Sequence, residues 1–247
     1  MMNLSLQRVG WIVDVQNDFM RPADQGGRLY VHNLFDGGQD PGAVQIVPAL
    51  IRATEWMRAH CDALVYTGDW HHIGDAEIDP MAPDAARGTY PPHCMGLSSD
   101  AREREGAEII SEIRPENPLI LQRDATGPDA REIARQAVAE QRPVFVQKSR
   151  FSVFEGNAAA DAFVRALREQ LGGAIEVYVV GVARDVCVKG AVEGLLAQER
   201  RIPVTVITDA TWGLGLEQAD ESYARWLEAG AALISTEGLQ VRSSSAS

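Results

Sequence analysis

Residues 175–198 read IEVYVVGVARDVCVKGAVEGLLAQ, and this stretch decides the fold. Ile175–Val180 is a short, β-branched, nearly continuous apolar run, as expected of a strand buried on both faces of a parallel sheet. A turn at Gly181–Arg184 follows, then a helical pattern over Val186–Gln198. Strand, tight turn and helix form the repeating unit of an α/β protein. Working outward, the same kind of run recurs at Trp11–Val15, Ala63–Thr67, Pro118–Leu121, Val144–Val146 and Val204–Ile207, with Ala232–Ile234 as a further candidate. Helical patterns alternate with them at Ala43–Ala59, Asp129–Glu140, Ala158–Gln170 and Glu217–Ala229. The expectation is a three-layer, doubly wound, mainly parallel α/β sheet with helices on both faces and right-handed crossovers.

No Gly/Ser/Pro linker divides the chain, so residues 1–240 read as a single domain and residues 241–247 as a short polar tail. Residues 21–42 and 71–117 are irregular and rich in Gly or Pro, which in a compact domain marks binding or lid segments. The charge run at 100–105 reads as a solvated helical face.

The 247 residues carry 23 Lys+Arg against 35 Asp+Glu, a formal net charge of −12. That balance argues against nucleic acid, which selects basic patches, and against anionic membranes. The chain start has no basic region followed by a long apolar run, and no apolar stretch is long enough to span a bilayer. Three cysteines cannot all pair within one chain, so a disulfide framework is not expected and a cytoplasmic location is.

In open α/β sheets ligands bind outside the carboxyl ends of the strands. Four such ends carry reactive side chains: Asp14 within WIVDV, Asp69 and His71 in GDWHH, Lys148 after VFVQ, and Cys187 in GVARDVC. Asp185 is a candidate helix N-cap, which would put Cys187 in a first turn where the helix dipole favours a thiolate. Read alone, Cys187 is a core residue; with an Asp and a Lys at the same sheet edge it reads as a nucleophile. Lys148 either snorkels to solvent or meets an anionic partner. Asp14 is a turn residue or, enclosed by Val13 and Val15, a desolvated general base. Asp69 and His71, two apart on an extended segment, face the same way, and His93 in YPPHC could complete a metal site with open positions. His72 is left open as a ligand or an exposed neighbour. Cys61 reads as a hidden thiol.

The segments VDVQNDF (13–19), GDWH (68–71), YPPHC (90–94), VQKSRFSVFEG (146–156) and GVARDVCVKGAV (181–192), with TDATWG (208–213), resemble the isochorismatase-like cysteine hydrolases, most closely their nicotinamidase/pyrazinamidase branch. The resemblance implies a six-stranded parallel sheet and a catalytic triad of Asp14, Lys148 and Cys187. It also implies an oxyanion hole from the backbone N–H groups of Ala183 and Cys187, with a cis peptide at Val182–Ala183. The metal ligands would be Asp69, His71 and His93 around a divalent ion, zinc first, with manganese or iron as alternatives. Phe19 and Tyr90 would wall a pyridine ring. The implied function is an amidohydrolase that frees ammonia from a small carboxamide through a thioester, nicotinamide to nicotinate first, in pyridine nucleotide biosynthesis, by a homo-oligomer. Its rivals are another amidase or ureido-group hydrolase, an isochorismatase-type enzyme, and a non-catalytic binding domain. The sequence departs from the branch at DWHHIGDAE (69–77), where Asp75 and Glu77 stand in place of a further His, and in the long segment between His93 and Lys148.

Overall fold

The computed structural model describes residues 6–199 and 201–239, so the polar tail at 241–247 lies outside the described residues. Seven strands among them form one sheet: β1 (Gln7–Val13), β2 (Ala63–Asp69), β3 (Leu119–Leu121), β4 (Val144–Lys148), β5 (Ile175–Val182), β6 (Val204–Trp212) and β7 (Ala232–Ile234). The order is β3-β4-β2-β1-β5-β6-β7, and every pairing is parallel. The expectation of six strands is therefore one short. The seventh is the three-residue β7, paired to β6 at the sheet edge from Thr205↔Ala232 to Ile207↔Ile234.

The helices are α1 (Asn17–Met20), α2 (Val47–His60), α3 (Ala101–Gly106), α4 (Gly127–Glu140), α5 (Val153–Gly156), α6 (Ala160–Gln170), α7 (Lys189–Leu196) and α8 (Ala219–Glu228). Strand alternation divides the core in two, since successive side chains point to opposite faces. Val9, Trp11 and Val13 of β1 pack with Ala134 of α4, Phe163 of α6, Val192 of α7 and Trp226 of α8. Ile12 of β1, Tyr66 and Tyr178 pack instead on Leu50, Ala53 and Met57 of α2. The step from β1 to β2 goes one way along the sheet and that from β5 to β6 the other, so right-handed crossovers put α2 and α7 on opposite faces. The irregular segments at 21–42 and 71–117 lie with α2. Among the described residues no helix is long and apolar enough to cross a membrane.

This winding creates a switch point between the carboxyl ends of β1 and β5, where neighbouring chains leave in opposite directions and open a crevice. The two strands meet closely there. Gly181 pairs with Val13 at φ +122°, and a Cβ on it would lie 2.0 Å from the Val13 carbonyl oxygen. Only glycine fits. Asp14, the residue just past β1, turns out of the strand at φ +51°, a left-handed conformation that Asp tolerates better than most residues.

Candidate active site

Asp14, Asp69, Lys148 and Cys187, from the ends of four neighbouring strands, converge in the crevice, and all are buried. Lys148 is the hub. Its Nζ lies 2.8 Å from Asp14 Oδ2, bonds Asp69 Oδ1, donates to the Arg150 carbonyl at 3.0 Å and sits 3.9 Å from Cys187 Sγ. A buried ammonium needs such partners, because an unpaired one would cost several kcal/mol. Of the two readings of Lys148, snorkelling or paired with an anion, the structure shows the second: at 1% exposure it is paired inside the protein.

The two carboxylates sharing that ammonium differ in environment. Burial raises the Asp14 carboxyl above its ordinary value; Lys148 opposes this, and the Asp69 charge adds to it. Thr67 Oγ1 donates to Asp14 Oδ1 at 2.7 Å and also favours the ionised form. At Asp69 burial is outweighed by Lys148 and by the neighbouring His71 and His93 imidazoles, which together hold the carboxyl well below the usual range. Burial, opposed by Lys148 and reinforced by Asp14 and Asp69, pushes the Cys187 thiol well up. That direction runs against the dipole-stabilised thiolate expected from sequence.

The local backbone also departs from the capped helix expected there. Arg184–Val188 is a π-helical turn ahead of α7, and Ala183 is its N-terminal flank, with no side-chain cap. Asp185 is not a cap: its carboxylate accepts the backbone N–H groups of Leu214 and Leu216, both at 2.9 Å, and so ties the loop after β6 to the turn. The peptide between Val182 and Ala183 is cis, as the resemblance implied. The Ala183 carbonyl accepts from Val186 and Val188, each at 3.0 Å, which fixes the turn carrying Cys187.

A second cluster adjoins the first through Asp69. Ligand atoms of Asp69, His71 and His93 lie within 4.8 Å of one another, and all three residues are buried. Each imidazole Nε2 is 3.8 Å from Asp69 Oδ2, the oxygen that Lys148 leaves free. Both Nδ1 atoms are engaged elsewhere, His71 with Asp75 at 3.3 Å and His93 with the Pro91 carbonyl at 2.8 Å. Such outer partners fix the tautomer that aims Nε2 inward, as at metal sites. His71 Nε2 is buried with no hydrogen-bond partner. Ligand bonds of about 2.0–2.2 Å around one ion place ligand atoms roughly 3–4 Å apart, so the residues present fit a divalent metal.

The surroundings explain parts of the motifs and add residues that spacing did not reveal. Gln16 grips the Asp69 backbone from both sides, accepting its N–H at 2.7 Å and donating to its carbonyl at 2.8 Å. Asp18 accepts the Cys94 N–H at 2.6 Å and so holds the His93 loop. Arg123 bonds both oxygens of Asp75 and donates to the Trp70 carbonyl at 2.9 Å, bracing His71 from behind. His72 is exposed, its ring receiving the Gly74 N–H, and does not join the cluster. Phe19 is buried with its ring centroid 5.6 Å from that of His93. Tyr90 is half-buried, 6.2 Å from His93 and 5.5 Å from Phe151, an aromatic the sequence reading passed over. Thr67 had a readable signal, a hydroxyl in the apolar run before Gly68. Arg123 had none.

Residues 120–238 match the Isochorismatase domain family model, a range that holds Lys148 and Cys187. No curated protein matches the sequence. Among solved structures, N-carbamoylsarcosine amidase from Thermoplasma acidophilum aligns at TM-score 0.59 and 22% identity, covering 94% of this chain and 97% of its own. Nicotinamidase/pyrazinamidase from Bacillus subtilis aligns at 0.60 and 19%, covering 93% and 100%. Pyrazinamidase of Pyrococcus horikoshii in complex with zinc aligns at 0.60 and 20%, covering 93% and 99%. At these identities the alignments speak to the fold, and the family model to the sequence. The family match covers just under half of the chain, and the fold is shared with these solved structures over nearly all of it.

Proposed function

We propose that the chain is a cysteine amidohydrolase that cleaves a small carboxamide, with nicotinamide the first candidate, to a carboxylate and ammonia. The observation that carries this reading is the convergence of Asp14, Lys148 and Cys187 in one buried cluster, with a thiol, a carboxylate of raised affinity for protons and a fixed ammonium in contact. The three unpaired cysteines suit a reducing, cytoplasmic setting.

In this reading Asp14 takes the Cys187 proton as Sγ forms a bond to the amide carbon. The N–H groups of Ala183 and Cys187 hold the negative charge that develops on the carbonyl oxygen. Asp14 then passes its proton to the leaving nitrogen, the C–N bond breaks, and ammonia departs from a thioester. A water molecule gives a proton to Asp14 and its oxygen attacks the thioester carbon; the C–S bond breaks, and that proton returns to sulfur. Lys148 keeps its proton throughout and stabilises each anionic state of Asp14 and Cys187. Asp69, His71 and His93 would hold a divalent cation, which when bound supplies Lewis acidity and an anchor for a ligating atom of the substrate. Phe19 and Tyr90 would flank a flat ring.

The test is a panel of small amides, including nicotinamide, pyrazinamide and ureido compounds, assayed for ammonia. Release from nicotinamide or pyrazinamide supports the reading. Release from ureido compounds alone would move the assignment to another amidase, and no release from any, with Cys187 reduced and metal supplied, would refute it.

A further inference from the structure

The segment Asp69–Glu77 holds three side chains besides Asp69 and His71 that could reach a metal: His72, Asp75 and Glu77. Two are committed elsewhere. His72 is exposed and takes the Gly74 N–H at 3.0 Å. Asp75 is occupied by Arg123, by the His72 N–H at 2.9 Å and by His71 Nδ1, the imidazole nitrogen that faces away from the cluster.

Glu77 differs from both. It is 3% exposed, its Oε2 is buried without a hydrogen-bond partner, and that oxygen lies 3.7 Å from His71 Nε2, itself buried and unpartnered. The backbone keeps it there. Tyr90 donates its N–H to the Glu77 carbonyl at 2.8 Å, and Asp79 donates to the Tyr90 carbonyl at 2.9 Å, in a parallel bridge between Ile78 and Tyr90. This bridge joins the Glu77 segment to the loop that carries His93. Burying a carboxylate oxygen with no donor, close to the Asp69 charge, is unfavourable unless a cation shares the space.

We propose that Glu77 is a further protein ligand of the metal site, which becomes a set of two imidazoles and two carboxylates. This rests on the reading that Asp69, His71 and His93 hold a divalent cation. Two carboxylates balance the ion's charge, and a fourth protein ligand leaves a substrate atom room only at a coordination number above four.

The experiment is competition for Zn²⁺ between a chromophoric chelator and the metal-stripped protein, for wild type, Glu77→Gln and Glu77→Asp, with thermal unfolding of each in metal-free and Zn²⁺-loaded form. The wild type is expected to take one Zn²⁺ per chain. Glu77→Gln should bind it more weakly by at least the roughly 10–100-fold that loss of even an outer partner costs, and Glu77→Asp should fall between the two. Metal-free Glu77→Gln should unfold no earlier than metal-free wild type, because the substitution removes a buried charge beside Asp69. A merely structural role would instead lower the metal-free midpoint. Equal Zn²⁺ affinity in wild type and Glu77→Gln, or a loss matched by a lowered metal-free midpoint in both variants, would overturn the assignment of Glu77 while leaving the three-residue site standing. A wild type that takes up no Zn²⁺ would overturn both.

Discussion

Thr67→Val removes one hydroxyl from a fully buried position at almost constant shape, and its effect follows from two distances. Thr67 Oγ1 donates to Asp14 Oδ1 at 2.7 Å, while Lys148 serves Oδ2 at 2.8 Å. Both interactions favour the ionised form, against burial, which raises the Asp14 carboxyl. A hydrogen bond to a charged group contributes about 1.5–3 kcal/mol. The neutral acid keeps part of that, so about 1.5 kcal/mol is the differential loss, equivalent to about one pKa unit upward. Since Asp14 must be ionised to accept the Cys187 proton, the acid limb of kcat/KM should move about one unit towards neutral. The plateau above the limb should change little, because the Lys148 contact and the Asp14 N–H to Thr67 carbonyl bond at 3.1 Å both survive. Stability carries the same sign. A carboxyl raised by folding binds its proton in the native state at a pH where the unfolded chain has released it, so its contribution declines as pH rises through that window, and the variant widens the decline. The assay is kcat/KM against pH on the best amide, with denaturant unfolding in parallel. A limb that stays in place or moves acidward in a folded variant would refute the role given to Asp14.

Other substitutions probe the surrounding network. Lys148→Met leaves two buried carboxylates without their shared cation; it should abolish turnover and lower stability by about 3–5 kcal/mol in urea titrations. Arg123→Met frees Asp75 behind His71 and should weaken metal binding by roughly 10–100-fold, read by chelator competition, with the Cys187 cluster left intact. The same variant should flatten the acid limb of stability: Asp75 is held below its ordinary value, so its contribution is present above the unfolded carboxylate range and is lost as pH falls, and it depends on Arg123. In a Cys187→Ala background, Cys61 and Cys94 should resist iodoacetamide at mildly alkaline pH, since burial pushes Cys61 up to about 12 and Cys94 well above the ordinary thiol value.

The strand ends were legible because a parallel sheet leaves a plain mark: Asp14 and Lys148 interrupt or end apolar runs, and the fold rule then assigns them to one edge. The Asp69–His71 pair was legible from its spacing on an extended segment. The turn before α7 was not, because a π-turn inserts a residue into the helical repeat and leaves no periodic signal, so Asp185 looked like a cap when its partners lie near residue 215. Arg123 was hidden for a related reason: its pairing with Asp75 spans 48 residues, which spacing does not encode. The edge strand β7 was ambiguous because three residues carry too short a pattern to separate from a loop.

The central claim is a covalent intermediate on Cys187, and acid-quenched intact-protein mass spectrometry during turnover of the best amide tests it most directly. The account predicts a mass gain equal to the acyl group, mapped by peptide digestion to the segment containing Cys187 and absent from Cys187→Ala, which should release no ammonia. Full ammonia release by Cys187→Ala, with no acyl adduct on the wild type, would contradict it.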